Sequence, residues 1–442
     1  MHNILYMKIS TCLSRKGFSI DELIIKTKEL FEKNGMAGFV ELLLILLDNM
    51  LCRDMVHGKG GACSECNSSN FKYHDRTEHT LRSTIGEIHV RWRRLRCNDC
   101  AKEITPLREF LGIKPCQRKT AELERVVTEV ASEQSFRRTC RHVELIGGVS
   151  IPLSTAHRWF MQSDCDKIEV DEKKVDVFLA DGTGFKRRPD KNKGKDNQGK
   201  LKVAIGIKND GTVVPIGSWS GQSWAEIGRE IQEKAGHCDP IGTLLLSDGE
   251  LGISEGLAHL IKAEQRSHWH QVKDLRFTMW QDKAPLQERK LLQEHLADIL
   301  RIELPKEEYE QVKEEDKSAI EESVLSAKKE LDELICNLAE KGYNHAAQYV
   351  RSAKEKLFTY VDLWLKSGIF SPRASSLIER MMREIARRLK RMAFGWSEKG
   401  AAKMARIIIK RFTSAAEWEK YWEERIRITG NVKLVLEGIY AK

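Results

Sequence analysis

The chain has 442 residues, enough for two to four domains with their own cores. Charged residues make up 31% of the sequence, aromatic residues 7% and hydrophobic residues 41%, which excludes an intrinsically disordered protein. The formal net charge of +9 favours a polyanionic partner only weakly, since many ordinary proteins are as basic. The most apolar stretch, residues 38–48, is too short for a bilayer span and contains two acids, so we expect no membrane partner.

The cysteines and the N-terminus indicate an intracellular protein. The N-terminus lacks the cationic and then apolar segments of a secretory signal. There are 11 cysteines, an odd number, and four of them form two Cys-x-x-Cys pairs. In a reducing compartment such pairs favour metal binding over disulfides, so the expected location is the cytoplasm.

The N-terminal segment, residues 1–58, is predicted to be helical. Apolar residues at helical spacing between about 20 and 56 indicate one or two helices. A glycine-rich hinge at 57–61 then introduces the cysteines.

Residues 59–118 are predicted to form a zinc-ribbon-like module. Period-two alternation at 80–82 and 86–93 is typical of a β-hairpin, which would bring the two cysteine pairs together. Tetrahedral Zn²⁺ accepts four thiolates, two from each pair. The candidate ligands are Cys63, Cys66, Cys97 and Cys100. The alternative is two unrelated pairs of buried cysteines.

The hairpin is also cationic. Arg91, Arg93 and Arg94 surround Trp92 and are candidates for contact with DNA. A solvated strand face would have the same composition, so both interpretations stay open.

Residues 119–168 are predicted to form a helix-turn-helix DNA-binding domain. Ser135 is a suitable cap for one helix, Gly147 and Gly148 interrupt the pattern, and Pro152 begins a second helix. Polar residues at the start of a recognition helix face base edges. The candidates are Ser154, Thr155, His157 and Arg158. An ordinary helical hairpin that supports the next domain is the alternative.

Three acidic residues further along are candidates for a two-metal site. Asp181 and Asp248 each follow an apolar run and precede a glycine, as at the ends of two strands, and Glu379 lies on a helical stretch. An isolated Asp-Gly is usually only a turn. Three converging carboxylates, however, suit a pair of Mg²⁺ (or Mn²⁺) ions that promote attack on a phosphodiester.

The sequence around these acids resembles the Mutator-type (MULE-like) insertion-sequence transposases, a DDE superfamily. The resemblance covers about 174–412, with Asp181 after Leu179-Ala180, Asp248 within Leu246-Ser247-Asp248-Gly249, and Glu379 after Ser376-Leu377-Ile378. It implies an RNase-H-like α/β catalytic domain, in two parts at 169–283 and 369–442, interrupted by an α-helical insertion at 284–368. It also implies that Asp181, Asp248 and Glu379 are catalytic and hold the metals.

One element of that family departs from its pattern here. The family has Cys or Asp, two residues and then His after a Gln-Arg pair, and this chain reads Gln265-Arg266-Ser267-His268-Trp269-His270. His270 matches the histidine and is a further catalytic candidate. Ser267 occupies the usual Cys or Asp position, so a shared Cys/His role is in doubt.

Two other acids compete with these assignments. Glu250 lies two residues beyond Asp248, and Glu384 shares a helix with Glu379. Glu384 would be about 140° around the helix from Glu379, so both cannot face one metal pair. We prefer Glu379, whose alternative role is an ion pair with Arg383 one turn away.

The segment behind Glu379 is strongly cationic and is predicted to bind phosphates. Its candidate contacts are Arg383, Arg387 and Arg388. A solvated helix is the usual explanation for such charge. Trp280, Trp364 and Trp396 could stack on unpaired bases near cleaved ends, although each is more often a core residue.

Together these patterns predict a DNA transposase that cleaves and transfers strands at the ends of an insertion sequence. Its expected partners are double-stranded DNA, both terminal inverted repeats and target, and a second copy of the chain, since two ends must be paired. We expect a nucleoid-associated location. The alternatives are a non-catalytic DNA-binding regulator derived from a transposase and an RNase-H-like nuclease that does not transpose.

Overall fold

A computed structural model describes residues 19–30, 35–168, 175–189, 197–235, 242–305, 307–391 and 394–427. Within these ranges the protein is a mixed α/β chain with one three-stranded and one five-stranded sheet. It divides into two compact units, Met1–Gln162 with Trp422–Lys442, and Ser163–Tyr421. The first unit contains the cysteine pairs, and the second contains all the acidic site candidates.

The first unit begins with helices, continues through a small sheet and returns to helices. Its elements are α1 (Ile20–Leu30), α2 (Met36–Val56), β1 (Phe71–Ser83), β2 (Gly86–Cys97), β3 (Glu103–Ile104), α3 (Pro106–Phe110), α4 (Ala121–Glu133), α5 (Phe136–Gly147) and α6 (Leu153–Gln162).

The β1–β2 hairpin is longer than the alternation in sequence predicts. β1 pairs antiparallel with β2 from Phe71 opposite Cys97 to Ser83 opposite Gly86. The first half of β1 has almost no apolar residues, so period-two hydrophobicity cannot reveal it. Cross-strand ion pairs, such as Arg91 Nε to Glu78 Oε1 at 2.7 Å, replace apolar pairing on that exposed face.

Helix α2 covers one face of the hairpin. Alternate residues of β2, including Ile88, Val90 and Trp92, are buried against Ala37 and neighbouring residues of α2. This packing explains why α2 is apolar over much of its length without being a membrane span.

Helices α4, α5 and α6 follow with well-defined ends. Thr120 Oγ1 accepts the N–H of Leu123 at 3.2 Å, and Ser135 Oγ accepts the N–H of Arg138 at 3.3 Å. Gly148 ends α5 with a positive φ of 63°, a conformation that glycine adopts without strain. Both side-chain caps satisfy otherwise unpaired helix N–H groups.

The remaining elements form the larger sheet and the helices around it. They are β4 (Val175–Lys186), β5 (Gln198–Ile207), β6 (Val213–Ser220), α7 (Trp224–Lys234), β7 (Gly242–Ser247), α8 (Leu251–Leu257), β8 (Ile261–Arg266), α9 (His268–Gln281), α10 (Leu286–Ile299), α11 (Glu314–Glu340), α12 (Asn344–Ala353), α13 (Thr359–Ser367), α14 (Ser376–Leu389), α15 (Glu398–Thr413) and α16 (Ala415–Ile426).

The five strands lie in the order β6-β5-β4-β7-β8. β5 is antiparallel to β4 and β6, whereas β4, β7 and β8 are parallel. Phe178 and Leu245 face a core that includes Trp224 and Ile227 of α7 and Ile253 of α8. Helices α14 and α15 contact β4, β5 and β6. Helices on both faces explain why the central strands are apolar throughout.

Strand β8 was not anticipated from the sequence. Its residues, Ile261 to Arg266, are mostly polar and only partly buried because the strand lies at the edge of the sheet. It pairs with β7 through Leu246 opposite Gln265 and Ser247 opposite Arg266.

Helices α9 to α13 share a separate apolar core. Leu275 and Met279 of α9 already belong to it, together with Leu296, Leu331 and Val361 from later helices. The helical body therefore begins inside α9, earlier in the chain than the predicted boundary at 284, because one face of α9 supplies core residues.

Candidate active site and metal centre

Asp181 and Asp248 occupy equivalent positions on neighbouring parallel strands. Leu179 of β4 lies opposite Leu246 of β7, so the two aspartates each follow this last pair by two residues. The sequence indicated that Asp181 ends its strand, but the strand continues beyond it. β4 continues to Lys186 along β5, with Asp181 opposite Val203, and only its pairing with β7 stops.

Glu379 joins these aspartates from α14. Ser375 Oγ donates to Glu379 Oε1 at 2.8 Å, and His270 Nε2 lies 3.5 Å from the same oxygen. The carboxylate therefore contacts Ser375 and His270 rather than forming the alternative pair with Arg383. Glu384 instead pairs with Arg387 at 2.9 Å, pointing to Glu379 as the acid that faces the sheet.

The electrostatics of Asp181 link the acids to one another. Burial, and after it the carboxylates of Asp248, Glu379 and Glu250, raise the pKa of Asp181 to about 7, although a hydrogen bond from the Gly182 N–H lowers it. Like charges close together favour the protonated form. Asp248, Glu379 and Glu250 therefore each lie within electrostatic reach of Asp181.

Glu250 is closer to the site than its neighbour position alone would indicate. Its backbone N–H donates to Asp248 Oδ1 at 3.0 Å. A Cβ placed on Gly182, beside Asp181, would lie 3.8 Å from Glu250 Oε2. Glu250 is thus a fourth carboxylate at this edge of the sheet.

The carboxylates suit a hard divalent cation. Oxygen donors are the ligands that Mg²⁺ and Mn²⁺ prefer, and a cation would compensate the burial and the repulsion that raise the pKa of Asp181. The three acids are less tightly grouped than the cysteines: within the described ranges, only the thiols form a compact set of three or more metal-ligand atoms.

Burial of the Asp181 carboxylate, together with the neighbouring acids, predicts that its charge destabilises the metal-free protein. The folded pKa of about 7 exceeds the ordinary 3.8, so the cost is absent below about pH 4 and grows as pH rises towards 7. We expect Asp181→Asn to raise the unfolding free energy above pH 7 by on the order of 1–3 kcal/mol. Denaturant titrations at pH 4 and pH 8, without added Mg²⁺ or Mn²⁺, measure this.

The matched control is Asp210→Asn in the same unit. Asp210 is exposed, and the N–H of Thr212 lowers its pKa, so this substitution should not stabilise the protein at pH 8. Equal gains in both variants, or a gain at Asp181 that persists at pH 4, would contradict the electrostatic explanation.

Arg266 is a site residue that sequence reasoning did not single out. Its guanidinium lies against Gly249, where an added Cβ would be 0.6 Å from Nη1, and 5.7 Å from the ring centre of Tyr349. The signal in the sequence that could have identified Arg266 is its position directly before Ser267. Arg266 thus puts a cation beside the strand end that carries Asp248.

Gly249 is expected to tolerate no side chain. Its φ is +88°, and a Cβ would displace Arg266. We predict that Gly249→Ala lowers the unfolding free energy by about 2 kcal/mol or more. Gly252→Ala is the control, because its Cβ would meet Trp224 at 3.7 Å and Glu250 Oε1 at 3.8 Å, both ordinary van der Waals contacts. The shifts in denaturant midpoint relative to the wild type should differ in sign or size between the two variants. Similar decreases in both would refute this role of Gly249.

Ser267 has a structural function at the position where Cys or Asp was expected. Its Oγ lies 3.2 Å from Ser375 Oγ and accepts the Ser375 N–H at 3.3 Å. Ser375 in turn binds Glu379, so Ser267 fixes the start of α14 and, through it, the glutamate. A shared role with His270 is not seen.

The two histidines of this segment have different surroundings. His268 is buried, its Nε2 lies 2.6 Å from the Leu357 carbonyl oxygen, and burial lowers its pKa to about 4. It is therefore a neutral core residue. His270 is partly exposed and lies between Glu379 and Asp274, with Nδ1 3.8 Å from Asp274 Oδ2.

The four predicted zinc ligands come together in the first unit. Their sulfur atoms all lie within 4.8 Å of one another, with Cys63 3.5 Å from Cys100 and Cys66 3.6 Å from Cys97. Backbone N–H groups of the second Cys-x-x-Cys turn donate hydrogen bonds to Cys97 and lower its pKa to about 7, and the N–H of Cys100 has the largest effect. This group could hold a metal ion such as zinc.

The arginines of the hairpin are paired with acids of the same unit. Arg93 Nε is 3.8 Å from Asp48, and Arg94 binds both Asp75 and Glu103. Arg91 is the most exposed of the three, at 72%. The pairing favours the interpretation of a solvated strand face for Arg93 and Arg94.

The candidate base-reading residues lie at the start of α6. Ser154 and Arg158 are exposed, whereas Thr155 and His157 are partly buried. The His157 ring packs edge-on against Phe136 at 5.3 Å. An exposed polar face is therefore available, centred on Ser154 and Arg158.

The cationic segment is less exposed than its sequence indicates. Arg383 and Arg387 are on the surface, but Arg388 is 1% exposed and lies over the Trp396 ring at 4.7 Å. The prediction that Arg388 contacts DNA is therefore wrong. Lys403 and Arg406 also point inward, each 2.7 Å from Asp166.

No protein-family model matches the sequence, and no curated protein matches it. Among the described helices, each is too short or too polar to cross a bilayer. The geometry of the acidic site and of the cysteine group is therefore the basis for the function proposed below.

Proposed function

We propose that the protein is a DDE transposase of the Mutator type that cleaves and transfers DNA strands at insertion-sequence ends. The observation that carries the proposal is the convergence of Asp181, Asp248 and Glu379 at one edge of the larger sheet, where burial and the charges of the neighbouring acids raise the pKa of Asp181. Acids that repel one another in this way are expected where cations bind.

The topology of the larger sheet supports an RNase-H-like domain. Numbered within the sheet, its strands have the order 3-2-1-4-5, with only the second antiparallel to the rest. Asp181 lies on the first of these strands, Asp248 directly follows the fourth, and the glutamate follows a helical body, as the resemblance implies.

The side chains have separable roles in the proposed reaction. Divalent cations, when bound, would activate the attacking water or 3′-hydroxyl and stabilise the leaving oxygen. Asp181, Asp248 and Glu379 would hold them, with Ser375 orienting Glu379 through its 2.8 Å hydrogen bond. Arg266, beside Asp248, would bind a phosphate oxygen.

His270 is suited to proton transfer near the scissile phosphate. Its Nε2 faces Glu379 at 3.5 Å and its ring is partly exposed, so a proton can pass between solvent and the site. A structural hydrogen bond remains the alternative role for this histidine.

The first unit would supply end recognition. A metal-bound cysteine module and the exposed start of α6 are suited to duplex DNA, with Ser154 and Arg158 facing base edges and Arg91 a phosphate. Pairing of two DNA ends would require a homo-oligomer.

The test uses a duplex made from the DNA that flanks the gene, which the proposal expects to carry inverted repeats. With Mg²⁺, we expect nicks that leave 3′-hydroxyls and joining of those ends to a second duplex. Cleavage without joining, even with a pre-cut 3′-hydroxyl end, would identify a nuclease instead. Repeat binding without any cleavage would identify a regulator.

A further inference from the structure

The outward face of α9 is aromatic and cationic along its length. At 100° per residue, five residues fall within about 100° of one another: Trp269, Lys273, Arg276, Phe277 and Trp280. All five are exposed, with Trp269 at 47%, Phe277 at 57% and Trp280 at 64%. The opposite face is buried in the helical body through Leu275 and Met279.

Cations are interleaved with the aromatic rings. Lys273 Nζ lies 4.4 Å from the ring centre of Trp269. A cavity of about 510 Å³ is lined by Arg276, Phe277, Trp280 and Arg289 of α10. Arg289 Nε is buried there without a hydrogen-bond partner among the described residues. An unpaired guanidinium beside exposed rings points to an anionic, flat ligand.

Of the tryptophans considered for base stacking, only Trp280 is available. Trp364 is 2% exposed and Trp396 is 4% exposed, so both are core residues. Trp269 and Phe277, which the sequence did not distinguish from core positions, share the surface of Trp280.

The chemistry of this face selects one occupant. A purely apolar face would suit a protein helix, but here a cation accompanies each ring. Unpaired nucleotides offer both a phosphate for each cation and a base for each ring, and stacking tolerates any base. The face is about 16 Å long, enough for on the order of five stacked nucleotides.

The face also begins at the acidic site. Trp269 precedes His270, whose imidazole lies 4.7 Å from the Trp269 ring and 3.5 Å from Glu379. Asp274, the acid on the adjoining side of α9, faces His270 instead. A strand leaving the carboxylates would therefore meet Trp269 first.

We propose that this face of α9 binds the unpaired segment of a DNA strand next to the scissile phosphodiester, with bases stacked on Trp269, Phe277 and Trp280. Lys273, Arg276 and Arg289 would contact its phosphates. The assignment of that strand as substrate rests on the proposed function, whereas the binding of unpaired nucleotides does not.

Fluorescence anisotropy with a labelled oligothymidylate and a duplex of equal length tests the proposal on the full chain, in buffer without Mg²⁺ or Mn²⁺. We expect the triple variant Trp269→Ala, Phe277→Ala, Trp280→Ala to bind the single strand at least roughly tenfold more weakly. Duplex affinity should change little. The control, Leu291→Ala with Leu325→Ala, removes exposed side chains (65% and 59%) from the same helical body and should match the wild type.

Either no single-strand binding by the wild type or an unchanged single-strand affinity in the triple variant would overturn the proposal. If the triple variant with unchanged affinity also loses self-association in sedimentation, this face is a protein interface instead. Asp181→Asn, measured in parallel, should bind the single strand normally, so loss of cleavage and loss of stacking are separate results.

Discussion

Asp181→Asn, Asp248→Asn and Glu379→Gln are each expected to reduce Mg²⁺-dependent strand cleavage by on the order of 10³-fold or more. Each amide keeps the shape of the side chain but removes a charge that would hold a divalent cation. Gel assays of nicking and joining on a terminal-repeat duplex measure the effect. Affinity for the duplex should stay within about twofold of the wild-type value, since the proposed end-recognition residues lie in the first unit.

Glu384→Gln is the matched control for Glu379→Gln. It makes the same chemical change on the same helix, but Glu384 pairs with Arg387 rather than facing the sheet. It should cleave almost as well as the wild type. If Glu384→Gln were inactive and Glu379→Gln active, the glutamate assignment would be wrong, and full activity in either aspartate variant would remove the two-metal site.

Removal of the metal from the cysteine group is the second large expected effect. Cys66→Ser and Cys100→Ser replace exposed ligands, so they leave the hydrophobic core unchanged while taking one of the four thiolates. Structural zinc contributes about 10 kcal/mol or more to small metal modules. We expect loss of bound zinc, unfolding of the cysteine end of the hairpin and at least tenfold weaker duplex binding.

Cys116→Ser is the control, because Cys116 is also exposed and in the same unit but outside the group. Zinc content, measured by atomic absorption on the purified full-length chain, should be about one ion per chain in the wild type and the control. A zinc-free wild type with normal stability would refute a structural metal. Retained duplex affinity in Cys66→Ser would instead limit the metal to a role in folding.

The cysteine group could be predicted from sequence because its signal is local. Each Cys-x-x-Cys pair presents two sulfurs from one turn, and the intervening strands only have to close as a hairpin. The hairpin itself was predicted too short, since Lys72 to Glu78 carry polar side chains whose pairing depends on the partner strand.

The cationic candidates show the opposite case. The sequence does not distinguish Arg383, Arg387 and Arg388 from one another. In the structure Arg388 is buried against Trp396, and the other two are not buried. The charge of a residue in the sequence does not reveal whether the fold buries it against an aromatic ring or an opposite charge. The same holds for Lys403, which is neutralised by Asp166 from the start of the second unit.

The residue types and their order along the chain can be read from the amino-acid sequence: four thiols, two aspartates at strand positions and a helical glutamate. Which of these residues meet depends on how the chain folds. Strand register brings Asp181 beside Asp248, and the Ser267–Ser375 contact between distant segments fixes Glu379 and distinguishes it from Glu384. Arg266, Glu250 and the exposed face of α9 emerged for the same reason, because burial and proximity arise from packing between segments far apart in the chain.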